Sequence, residues 1–106
     1  MPELIGKVLA KTTTDAYASA LKLQVPTHMQ KVMFHLKEND TNDVKYQVLG
    51  SMDDVVYEEV VAEAILAKNA SIKLTAIDEP WPYLDLQVKS SVAETPGKVT
   101  AYASGW

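Results

Sequence analysis

His28 and His35 are the first residues to weigh for chemistry, since imidazole is both an acid–base group and a metal ligand near neutral pH. They stand seven residues apart, so along one extended strand they point to opposite faces and cannot share a metal. Neither has a neighbouring acid of the kind that marks a Ser-His-Asp triad. Oxygen ligands of the type calcium takes occur as Asp40, Asn42 and Asp43 in one polar stretch, and as Asp53 and Asp54 in another. If the stretches 37–43 and 51–54 lie at one end of a sandwich, they would frame a weak calcium site or the rim of a sugar-binding module. No calcium-loop spacing with a closing Glu is present, however, and Asn and Asp bond their own backbone in turns. Turn formation accounts for these residues without a metal.

Glu58, Glu59 and Glu63 would need to face one another across a cleft at about 5–10 Å to cleave a glycosidic bond. A solvated face explains them more simply. No GxSxG is present, and Gly6, Gly50, Gly97 and Gly105 are too scattered for a phosphate loop. With no cysteine in the chain, thiol chemistry is excluded. The expectation is a protein that is not an enzyme and uses no cofactor or metal. The aromatic residues are the better candidates. Trp81 and Tyr83 flank Pro82 at the entry to an alternating run, and Trp106 is the last residue. These three are read as partner-binding anchors, since aromatics dominate interface centres. The competing reading has Trp81 plug one end of the core while the tyrosines fill its edges.

The elements that must position these residues are mostly extended. Leu4 to Lys11 reads as a strand, with a polar turn at 12–15. Ala16 to Val25 is a second run, ending at Pro26, which cannot donate to a ladder. In the third, Met29 to Leu36, the set Gln30, Val32, Phe34 and Leu36 is the predicted core face. KENDTND at 37–43 is a loop. VKYQVLGS at 44–51 alternates with Val44, Tyr46, Val48 and Gly50 on one side, and GSMDD makes the next turn. Segment 55–68 is divided between two readings. Tyr57, Val60, Val61, Ala64 and Ile65 share a helical face, with Ser51 and Asp54 as a capping box and Asn69 as a stop. The β-branched cluster Val55, Val56, Val60 and Val61 argues for a strand. IKLTAI at 72–77 alternates, and DEPWP at 78–82 is irregular. YLDLQVKS at 83–90 is the strongest strand signal, with Leu84, Leu86 and Val88 on one face. A turn at 93–97 and a strand at 98–104 close the chain. Roughly seven or eight short strands at this spacing predict an all-β fold, one antiparallel sandwich or jelly roll spanning 1–106.

Composition agrees with that class. Of 106 residues, 47% are hydrophobic and 23% charged, enough for a core that buries about two-thirds of the unfolded chain's surface. A net charge of −4 supplies no drive toward nucleic acid and little toward anionic membranes, so neither is an expected partner. No run of apolar residues is long enough to span a bilayer. The opening MPELIGKVLAK lacks the charged, apolar and cleavage regions of a signal peptide, which suggests synthesis in the cytoplasm.

Three stretches carry a resemblance: YQVLGSMDD at 46–54, EEVVAEAILAKNAS at 58–71 and PWPYLDLQVKSSVAETPGKVTAY at 80–102. Together they resemble small β-sandwich structural proteins of tailed bacteriophage and prophage virions. The order of Tyr-x-Val, Ser and Asp, then aromatic-Tyr-Leu-x-Leu-x-Val, is also similar to the core of discoidin-like jelly rolls. The likeness covers roughly residues 42–103. It implies a virion component, either capsid decoration or part of a tail or fibre, assembled in the host cytoplasm. Its partners would be virion proteins and further copies of itself in a homo-oligomer, with a glycan as the alternative ligand. It also implies that Val55 to Val61 is a strand and Ala62 to Ala70 a turn-containing link. Discoidin-like binders present aromatic and basic loops at one end, whereas the loops here are acidic, which favours assembly over sugar binding.

Overall fold

Alternation of apolar and polar residues dictates the architecture. In the computed structural model, which describes residues 3–39, 41–74 and 76–106, eight strands form two four-stranded antiparallel sheets packed as a sandwich. The strands are β1 (Glu3–Thr12), β2 (Ala18–Gln24), β3 (Val32–Glu38), β4 (Val44–Ser51), β5 (Tyr57–Leu66), β6 (Ser71–Lys73), β7 (Tyr83–Ser90) and β8 (Lys98–Gly105). Sheet I has the order β1-β8-β3-β6 and sheet II the order β2-β7-β4-β5. Every connection except the β4–β5 hairpin crosses from one sheet to the other, the winding of an eight-stranded jelly roll.

The predicted core faces are the observed ones except at Gln30, which lies before β3 begins and is exposed. Val32, Phe34 and Leu36 of β3 meet Val44, Tyr46 and Val48 of β4 and Leu84, Leu86 and Val88 of β7, all buried. The small Ala101 and Ala103 of β8, with Val99, let the sheets approach. Phe34 is completely buried, so truncating it to alanine should cost about 3–5 kcal/mol.

Three sequence expectations need correction. Segment 55–68 is neither a helix nor a strand followed by a long link. Val55 and Val56 lie in an exposed turn, and β5 continues through Ala62 to Leu66. Its register explains why, because β4 is paired along its whole length, from Val44↔Leu66 to Ser51↔Tyr57, with two irregularities absorbing the mismatch. The capping signature is real chemistry serving a hairpin. Ser51 Oγ accepts from the Asp54 N–H at 2.9 Å, and Asp53 Oδ1 accepts from the Val55 and Val56 N–H groups. The strand expected at 72–77 is cut to Ser71–Lys73, with Ile77 making only a bridge to Val32.

The third correction concerns loops 37–43 and 51–54. Lys37 and Glu38 belong to β3 and Ser51 to β4. The turns that remain, 39–43 and 52–56, are joined end to end by the eight-residue β4, so they sit at opposite ends of the sandwich, roughly 25 Å apart. They cannot frame one calcium or sugar site. Asp40 lies outside the described residues. His28 stands in the β2–β3 loop and His35 in the middle of β3. Among the described residues no cluster of His and carboxylates has the geometry of a metal site.

Candidate functional site

Strand directions sort the connections into two ends. One end gathers the 25–31, 52–56 and 74–82 connections, the start of β1 and the end of β8; the other gathers 13–17, 39–43, 67–70 and 91–97.

All three predicted aromatic anchors belong to the first end. Trp81 is half-buried and packs against the core. It packs against Gly50, where an added Cβ would come within 2.6 Å of the indole Cδ2. Trp81 also separates two depressions. On one side is a cavity of about 200 Å³ walled by Val25, Pro26, Met29, Ile77 and Pro82. On the other is a dip of about 160 Å³ bordered by Met52, Asp53, Val56 and Glu58. Its indole Nε1 is buried and has no hydrogen-bond partner among the described residues. Trp81 therefore closes the core and also presents an edge to a surface. Tyr83 starts β7 on the outer face of sheet II, half-buried between Gln24 and Ser51. Trp106 is exposed, its backbone N–H donating to Lys31 O and its carbonyl accepting from Gln30 and Lys31.

Sequence reasoning missed the residues beside Trp81. Met52, Val55 and Val56 are among the most exposed large apolar side chains, up to 79% for Val55. They are carried by a turn that Ser51 and Asp53 hold in place. Hydrogen bonds from the Val56 and Val55 N–H groups keep the Asp53 carboxyl below its ordinary range. The signal was legible as three apolar residues within SMDDVV, a stretch otherwise made of turn formers.

The opposite end is organised by one buried acid. Glu38 continues the inward parity of Val32, Phe34 and Leu36 and is completely buried. Burial alone would push its carboxyl up. The Thr41 hydroxyl and the N–H groups of Asn69, Thr41 and Lys98 outweigh that and hold it down at about 2. A single carboxylate thus ties together the 39–43, 67–70 and 97–98 segments.

The outer face of sheet II carries two bridges running from the β2 side to β5. Tyr17 donates its hydroxyl to Glu63, Lys89 lies 4.8 Å from the Tyr17 ring, and Lys45 pairs with Glu63 at 3.8 Å. Burial, then the bond and charge of Glu63, push the Tyr17 hydroxyl well above the ordinary phenol range. Nearer the Trp81 end, Lys22 pairs with Asp54 at 3.2 Å and Tyr57 donates to the same carboxylate. Of the three acidic residues weighed for glycosidase chemistry, Glu63 is held in the first bridge. Glu58 and Glu59 are exposed on the edge strand β5, where charge discourages unwanted strand pairing.

Comparison with solved structures extends the fold to other proteins. The chain is similar to PirA, with a TM-score of 0.70, 9% identity and 92% of each chain covered. It is similar to the PBSX exported protein XepA, with a TM-score of 0.71 and 11% identity, covering 99% of this chain and 36% of that one. It is also similar to a protein of the Bacillus endospore appendages, which form disulfide-linked pili, with a TM-score of 0.62, 12% identity, and 99% and 87% of the two chains covered. No known family pattern matches the sequence, and no curated relative does. What this chain shares with those neighbours is the two-sheet sandwich, reached from sequences that have almost nothing else in common.

Proposed function

We propose that this protein is a non-enzymatic structural component of a phage or prophage virion, acting as capsid decoration or as part of a tail or fibre. The observation that carries the reading is the apolar turn that places Met52 and Val56 beside Trp81 and carries the exposed Val55 between them in sequence, held outward by hydrogen bonds. Exposed apolar side chains gathered on a rigid turn mark a protein-binding surface. Trp81, Tyr83 and Trp106 contribute aromatic contacts at the same end. The fold likeness to the PBSX exported protein XepA and to a protein of the Bacillus endospore appendages supports the reading. The appendage pili are disulfide-linked, and a chain without cysteine has to hold its partners by surface fit. Repetition on a symmetric particle supplies avidity, so each contact can be modest.

The test is to purify particles by density gradient from a host carrying this gene and quantify the chain in them by mass spectrometry. Wild-type protein should co-sediment at fixed stoichiometry. Val56→Asp, which leaves the core untouched, should stay in the soluble fraction. A wild-type chain that never leaves the soluble fraction would sink the reading.

A further inference from the structure

The outer face of sheet I has a different chemistry from the assembly end. The pairings Lys7↔Tyr102, Tyr102↔His35 and His35↔Lys73 place four side chains in one row across all four strands. That row spans roughly 14 Å at the usual strand spacing. The two rings at its centre stand 6.4 Å apart between centroids and are inclined by only 24°, so they form one aromatic platform. Beside them lies an open depression of about 500 Å³, bordered by Lys37, Asn39, Asn69 and Thr100. That volume falls in the ~300–1,000 Å³ range of small-ligand sites.

Two further observations give the face a preferred ligand. The first is charge. Strands β1, β8, β3 and β6 carry Lys7, Lys11, Lys37, Lys73 and Lys98, and their only carboxylates are Glu3, at the start of β1, and Glu38, buried. Among the described residues Lys7, Lys37 and Lys73 take part in no ion pair; the two pairs present involve Lys22 and Lys45. A protein with a net charge of −4 therefore keeps the strands of this sheet cationic. The second is a pair of amides: Asn39 and Asn69 border the depression, and amide groups offer both donors and acceptors to hydroxyls.

We propose that this face binds an anionic glycan. A sugar ring lies on the Tyr102–His35 platform, its hydroxyls face the Asn39 and Asn69 amides, and the acidic groups along the chain pair with Lys37 beside the platform and with Lys7 and Lys73 at the two ends of the row. Apolar ring faces stack on aromatic side chains, and amides read hydroxyls. A chain of nucleotides would also use aromatics and lysines, but three free ammonium groups and no arginine make a short phosphate track, and the amide pair suits hydroxyls better. This site is independent of the assembly reading, which uses the Trp81 end.

The experiment is a titration of the full ¹⁵N-labelled chain, followed by NMR, with four probes. These are a hexamer of galacturonic acid, a sulfated hexasaccharide, neutral maltohexaose and hexathymidylate. Shifts confined to the four strands of sheet I and the Asn69 turn, seen with an acidic hexasaccharide and weakening with salt, are expected. Lys37→Gln should weaken binding about tenfold, as loss of a charge-assisted contact does, and Tyr102→Ala should weaken it at least as much, with both spectra otherwise unchanged. Absence of shifts with both acidic sugars overturns the proposal. Equal binding of maltohexaose removes the role of the lysines and overturns it as well. Tighter binding of hexathymidylate would assign the face to single-stranded nucleic acid instead.

Discussion

Replacing Glu38 with glutamine isolates the buried carboxylate that pins three segments at one end of the sandwich. Its carboxyl titrates at about 2 when folded, against an ordinary 4.5. A depressed carboxyl stabilises the fold above its unfolded pKa, and the contribution is lost as pH falls through the folded value. At about 1.4 kcal/mol per pH unit, the ionised group contributes about 3 kcal/mol at pH 7, about 1.4 kcal/mol at pH 3 and almost nothing below pH 2. The substitution keeps one acceptor oxygen but turns an NH2 group toward N–H donors, so a loss of about 2–4 kcal/mol at pH 7 is expected. That is a large fraction of the ~5–15 kcal/mol a domain has, yet it leaves the variant folded. Urea unfolding followed by tryptophan fluorescence measures it. With an m-value near 1.5 kcal/mol/M, the midpoint should drop by about 2 M at pH 7, and the gap should halve by about pH 3. A midpoint within about 0.3 M of wild type at pH 7, or a gap that does not narrow on acidification, would refute the account of Glu38 as a charged hub.

Three other outcomes follow from the geometry. Gly50→Ala places a methyl 2.6 Å from Trp81 and 2.8 Å from Val60; it should cost about 1–3 kcal/mol and red-shift the tryptophan emission, read in the same urea series. Tyr17 should be among the last tyrosines to ionise in an alkaline absorbance titration, because its pKa is raised. The stability it contributes is complete below the unfolded phenol pKa and disappears as pH rises through the folded one, and Tyr17→Phe should remove that late step. Trp81→Ala should lower stability as well as particle incorporation, since the indole packs on the core; a variant with full thermal stability would show that Trp81 is not a core plug.

How much was legible beforehand differs from element to element. β7 was readable almost to the residue because Leu84, Leu86 and Val88 alternate with polar neighbours, and that period is a property of the backbone alone. Segment 55–68 was not, since Val60, Val61, Ala64 and Ile65 share a helical face while the β-branched Val55, Val56, Val60 and Val61 favour a strand. Only the need of β4 for a partner along its outer edge resolves it. Glu38 was one parity step from recognition. It follows Val32, Phe34 and Leu36 at intervals of two, but a charged residue next to Asn and Asp reads as loop. Nothing local shows that Thr41, Asn69 and Lys98 will bring donors to it.

The sequence by itself therefore determined the all-β class, the faces that make the core, and Trp81, Tyr83 and Trp106 as residues to follow, because these depend on side-chain type and on a period of two. Only the tertiary structure decided which loops share an end, parting the 39–43 turn from the 52–56 turn. It also aligned Lys7, Tyr102, His35 and Lys73, which are far apart in the chain. Strand order and register are set by long-range pairing and sheet packing, and a local pattern carries no record of which distant strand will lie alongside.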